Sequence, residues 1–127
     1  MAIYGIGAYY DRDVSDEFIL NKLIGTGWAV ADAPELFEYF RSLKVGDIVY
    51  IKAAQFGSNI TVKAIGIITD NTILTGPSNL IQIGRNVKWI HTTKFTVNRP
   101  VEKNNVRSNT LYEEFHPLVQ KEIISRF

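Results

Sequence analysis

Cysteine is absent from the 127 residues, which excludes a disulfide framework, every thiolate metal site and a cysteine nucleophile. Histidine is nearly absent too. With only His91 and His116, a zinc site, a Ser-His-Asp arrangement or a histidine acid/base pair is a poor expectation, and none is assigned. No run approaches the roughly eighteen apolar residues that cross a bilayer. The start Met1-Ala2-Ile3-Tyr4-Gly5 has neither a basic n-region nor an apolar h-region, so the expectation is a cytoplasmic protein with no membrane partner. Gly5-Ile6-Gly7 lacks the third glycine of a dinucleotide fingerprint and runs into a polar turn instead of a helix. Repeats, low-complexity segments and a linker are also missing.

What is present is ordinary for one globular domain over residues 1–127: 46% apolar and 21% charged residues, enough chain to bury a core without staples or metal. The net charge of +1 hides a segregation. Residues 1–40 carry two basic and seven acidic side chains, residues 41–107 ten basic and three acidic, and residues 108–127 two basic and three acidic. A fold that gathers the middle segment on one side would be a dipole whose positive side suits nucleic acid. The acidic cluster of Asp11, Asp13, Asp16 and Glu17 is explained by a turn and a helix start, so catalysis is not assigned and no cofactor is expected.

Periodicity divides the chain at Gly46. Before it, residues 3–10 read as a strand, Ser15 caps a helix to about residue 24 with Gly25 beyond its end, and Asp32-Ala33-Pro34-Glu35 is a capping-box start for a helix over 33–43. After it the period becomes two: strands at 47–53 and 60–69 joined through Gly57-Ser58-Asn59, a long connection over 70–85, and a strand at 86–97 with Val87, Trp89, His91, Thr93, Phe95 and Val97 on its buried face. Thr110-Leu111-Tyr112-Glu113 opens a terminal helix over 110–126. The pattern predicts an α+β domain on a curled antiparallel or mixed sheet with flanking helices, which closure into a β-barrel would relieve of exposed edges.

Four segments in order carry a resemblance: Leu23-Ile24-Gly25-Thr26-Gly27-Trp28, Lys44-Val45-Gly46-Asp47-Ile48-Val49-Tyr50-Ile51, Ile65-Gly66-Ile67-Ile68-Thr69-Asp70 and Val87-Lys88-Trp89-Ile90. Together with the tail Thr110 to Pro117 they resemble the PUA-like superfamily, and within it the EVE domains, relatives of which occur in modification-dependent restriction systems. The resemblance implies a β-barrel module that holds a modified or flipped nucleobase in a cleft. Such a cleft needs aromatic walls, groups that reach the base edge, and cations for phosphate. Trp28 and Trp89, with Tyr9, Tyr10 and Phe56 behind them, are the aromatic candidates, and Lys52, Lys63, Lys88 and Lys94 the phosphate candidates. Most weight falls on Trp28, which sits at a glycine-flanked junction. A protein-interaction or inhibitor module of defence or phage biology, and a free-nucleotide binder, are the alternatives.

Overall fold

A computed structural model of the chain describes residues 2–10, 12–54, 59–76, 80–98 and 110–127. Gly46, at a φ of +91° that L-residues avoid, makes the turn at which the period changes. Asp47 fixes that turn by accepting from Lys44 N at 2.8 Å and Ala2 N at 3.1 Å. The elements are β1 (Ile3–Gly7), β2 (Tyr9–Tyr10), β3 (Arg12–Asp13), α1 (Ser15–Asn21), β4 (Leu23–Thr26), α2 (Pro34–Ser42), β5 (Ile48–Ala54), β6 (Ile60–Thr75), β7 (Ile83–His91), β8 (Phe95–Val97), β9 (Leu111–Glu113) and α3 (Pro117–Ile124).

Seven strands form one mixed sheet in the order β4-β7-β6-β5-β1-β9, with β8 pairing the start of β6. Only β1 and β5 are parallel among these pairs, because the connection between them holds α1, β4 and α2 and so can cross over. Among the described residues no pairing joins β4 to β9, and the sheet is not closed into a barrel. Alternation along β5 splits the core: Val49 and Ile51 pack with Phe18, Phe37, Phe40 and Leu43 of the α1 and α2 layer. Ile48 and Tyr50 pack with Val119 and Ile123 of α3.

Five sequence expectations change. The first helix stops at Asn21, where Lys22 takes a left-handed cap, and residues 23–26 are an antiparallel partner of β7. Gly25 lies inside that strand because Ile83 O comes so near that a Cβ would stand 2.7 Å away. The helix over 33–43 begins at Pro34 without a side-chain cap, so the Asp32 capping box does not form. The terminal segment is not one helix: Leu111 and Tyr112 are drawn into the two cores as a strand beside β1, and α3 starts only at Pro117, capped by His116, whose ring accepts from Leu118 N at 3.2 Å. Finally, the 70–85 connection is mostly strand, and the single strand over 86–97 is two. The expected joining turn over 57–59 lies largely outside the described residues.

Candidate functional site

The site is built by an irregularity. β6 and β7 pair Ile68 with Val87 and then Ile73 with Arg85, so residues 69–72 stand opposite the single residue Asn86. Thr69-Asp70-Asn71-Thr72 is a polar island inside an apolar strand, and the register gap lets it leave the ladder. Both flanks pin it. Thr72 N donates to Asp70 Oδ1 at 3.0 Å, and Asn86 Nδ2 donates to the two Asp70 carboxylate oxygens at 3.3 and 3.2 Å. From beneath, Arg85 Nη2 donates to the Asp70 carbonyl at 2.8 Å.

Arg85 is 1% exposed. Its Nη1 donates to the carbonyls of Phe40, at 2.9 Å, and Leu43, at the end of α2 where the helix dipole favours a cation. Desolvation pulls its pKa down, opposed by the carboxylates of Asp70 and Asp47. Its Nε has no partner among the described residues. One buried guanidinium therefore ties α2 to the bulge.

Above the bulge lies an open cleft of about 650 Å³, lined by Ile19, Asn21 and Lys22 from the end of α1, Thr69 and Asp70 from β6, and Asn86, Val87, Lys88 and Trp89 from β7. That volume is in the range of small-molecule sites. Trp89 is half-buried, its indole Nε1 donating to Phe18 O at 3.0 Å. Its donor is spent inside the protein, so it offers the cleft ring surface alone. Gly66 makes room for it: a Cβ there would stand 2.9 Å from Trp89 Cε3 and 2.8 Å from Lys88 O. The α1 wall is held by Val87 N donating to Lys22 O at 2.9 Å. Lys22, with φ of 55°, is the one non-glycine in left-handed backbone among the described residues, a conformation that costs about 1–2 kcal/mol.

The structure brings Lys88 and Trp89 together and places Trp28, Tyr9, Lys52, Lys63 and Lys94 elsewhere. Trp28 does not line this cleft; it is 52% exposed in the segment after β4, its N–H bonded to Thr26 Oγ1 at 3.2 Å. Tyr9 is 74% exposed on the small β2-β3 ribbon. Lys63, its side chain only 16% exposed, is paired with Asp13 and bonded to Ser15 Oγ. Lys52 lies over the Tyr112 ring, 5.6 Å from its centroid. Lys94 is exposed between β7 and β8. Phe56 and the Tyr10 side chain lie outside the described residues. Two acids of the start are paired, Glu17 with Arg12 and Asp13 with Lys63. Burial pushes the Asp13 carboxyl up, but hydrogen bonds from Lys63 and Ser15 outweigh it and hold it at about 2. Glu17 is lowered by Arg12.

Sequence reasoning missed Asp70, Asn86, Lys22 and Arg85. The signal for Asp70 was there, as four polar residues between Ile68 and Ile73, but it also reads as a loop. Among the described residues no three His, Cys, Asp or Glu side chains converge as a metal site would require.

A family model described as a domain of unknown function, DUF8426, matches residues 29–114, more than half of the chain. The chain belongs to that family. No curated protein matches it. The DUF8426 match contains Asp70, Arg85, Asn86, Lys88 and Trp89, whereas Asn21 and Lys22 precede it. The floor of the cleft thus lies within the matched DUF8426 segment and its α1 wall outside.

Proposed function

We propose that this DUF8426 chain is a non-catalytic, PUA-like module of EVE type that holds a modified or flipped nucleobase of nucleic acid in the cleft beside Trp89. One observation carries the reading: an aromatic face, hydrogen-bonding groups and cations meet in one place, Trp89 with Asp70 and Asn86 and with Lys22 and Lys88. Stacking a base on an aromatic ring contributes about 1–3 kcal/mol, which offsets the few kcal/mol needed to unstack it from a strand. The lysines would take the flanking phosphates. The PUA-like assignment is supported by placement: the four segments of the resemblance fall on β4, on the Gly46 turn with β5, on β6 and on β7, four strands adjacent in a sheet that is not closed among the described residues.

Fluorescence anisotropy with labelled single strands tests the proposal across a salt series. Binding should weaken as salt rises, and replacing Lys22 or Lys88 by Gln should flatten the log–log slope by about 0.7 for each phosphate no longer neutralised. Absence of binding at low salt would sink it. A second reading, a protein-binding module, is favoured by the exposed Phe115, Leu118, Ile124 and Phe127 on and beside α3; it predicts a partner whose capture ignores Trp89.

A further inference from the structure

Beyond the cleft, the far end of β7 meets a second cationic and aromatic cluster. Arg126, just past the end of α3, lays its guanidinium over the Phe95 ring of β8, with Cζ 3.6 Å from the centroid. His91, at the end of β7, meets the same ring edge to face, with centroids 5.6 Å apart and planes at 74°. Arg126 Nη1 donates to the Glu122 carbonyl at 2.8 Å and to its carboxylate at 2.9 Å. Nε and Nη2 have no hydrogen-bond partner among the described residues, and the side chain is 26% exposed. Phe95 fixes one side of the guanidinium plane and Glu122 holds one nitrogen. What remains is a preorganised plane of the kind on which unpaired bases stack.

Register connects this cluster with the cleft. Trp89 pairs with Gly66 and His91 with Ile65, so β7 has one extra residue, Ile90, and His91 comes out on the opposite face from Trp89. Lys88, next to Trp89 on the strand, shares that opposite face and is exposed at the rim of the cleft. β4 stops at its pair with Asn86, extended by the bond from Val87 N to Lys22 O. Among the described residues no strand pairs with the outer edge of residues 88–91. A nucleic-acid strand with one base on Trp89 can therefore cross that edge at Lys88 toward Arg126. The distance is short: Gly66 and Val62, the β6 partners of Trp89 and Phe95, are four positions apart, about 13 Å of strand. Stacked nucleotides advance about 3.4 Å each, so about four of them bridge it. Residues 83–98 hold Arg85, Lys88 and Lys94 but neither Asp nor Glu, so no acid of that segment opposes a phosphate on the way.

Resting on the proposed base-binding reading, we infer that the chain has a second base subsite, the Arg126 guanidinium on Phe95, which takes a base of the same strand about four nucleotides from the one at Trp89. The ligand is then a single strand of nucleic acid and not a free nucleotide.

Fluorescence anisotropy with labelled mixed-sequence single strands of two, four, six and eight nucleotides reads the length dependence on the wild-type chain and on three variants. One more stacked base multiplies affinity by about 5- to 150-fold, so the wild type should gain at least about fivefold between two and six nucleotides. Arg126→Met keeps an apolar stem on Phe95 and should lose that gain while binding two nucleotides as the wild type does. Glu122→Gln breaks the ion pair but leaves the guanidinium, so it should keep the gain, which separates stacking from mere anchoring of α3. Lys22→Gln, in the cleft, should weaken every length alike. If Arg126→Met does not fold, Arg126→Lys, which keeps the charge and loses the plane, takes its place with the same expected loss. A flat length series, a gain that survives without the guanidinium, or a gain lost equally in Glu122→Gln overturns the inference and leaves the base-binding reading intact. No binding at any length overturns that reading itself, and the second subsite with it.

Discussion

Two tryptophans of one chain occupy opposite situations, and their substitutions should separate accordingly. Trp28 is 52% exposed, so Trp28→Ala should cost less than about 1 kcal/mol in denaturant unfolding and leave binding at the Trp89 cleft unchanged. Trp89 packs on Gly66 and bonds Phe18 O; Trp89→Ala should cost about 3 kcal/mol and remove binding, while Trp89→Phe should retain part of both. Lys22 gives the cleanest separation. A left-handed lysine is strained by about 1–2 kcal/mol, and glycine relieves that strain at an entropic cost of about 0.5–1 kcal/mol. Lys22→Gly should therefore keep or raise the melting temperature while weakening the nucleic-acid affinity proposed for the cleft. A fall in melting temperature would show that the lysine side chain carries structural weight instead.

The β6-β7 pair sets the site at the scale of elements. Its register gap at residues 69–72 is stabilised by Arg85, which also closes the end of α2. Arg85→Met keeps much of the volume but strands buried carbonyls at Phe40, Leu43 and Asp70, and should cost about 2–4 kcal/mol of stability. Its local signature is loss of amide-exchange protection in both the bulge and the last turn of α2, since one guanidinium serves both. A change confined to either would show that they are not coupled. Gly66→Ala forces a methyl group against Trp89 and the Lys88 carbonyl and should destabilise by about 1–3 kcal/mol. Because it displaces Trp89, it should also reduce binding.

Over the whole molecule, pH should act at both ends of the scale. Asp13 has a folded pKa of about 2 against an ordinary 3.8, so its contribution is present above about pH 4 and is lost as the pH falls toward 2. Asp13 is half exposed, and screening limits that contribution to less than about 1 kcal/mol. Lys63→Met should remove the lysine's share and leave that of Ser15, seen as a flatter stability profile between pH 4 and 2. At the alkaline end, burial first and then the neighbouring Tyr112 and Glu114 push the Tyr50 hydroxyl above its ordinary value of 10.0. It bonds Glu114 Oε1 at 2.7 Å and Tyr112 Oη at 2.8 Å. The unfolded chain releases that proton at lower pH than the folded one, so stability is full below about pH 10 and falls above it. Tyr50→Phe should flatten the alkaline fall while costing about 1–3 kcal/mol at neutral pH, because Glu114 loses a buried donor.

The class of fold was legible in the order of residues alone. The change of period at Gly46, the apolar spacing of Phe37 and Phe40, and the alternation of residues 48–51 each follow from local geometry, and the α+β order, the β5-β6 pairing and the middle helix follow from them. Lys88 and Trp89 were also legible, as neighbours on one alternating strand. Interactions distant in sequence decided the rest. Residues 23–26 and 111–113 suit a helix turn locally, but backbone pairing with β7 and β1 makes them strands. Asp70 reads as a loop residue until Arg85 and Asn86, 15 and 16 positions away, hold it in a bulge. The cleft gathers groups from α1, β6 and β7 at one point, and only the pairing register, which no local pattern encodes, puts them there.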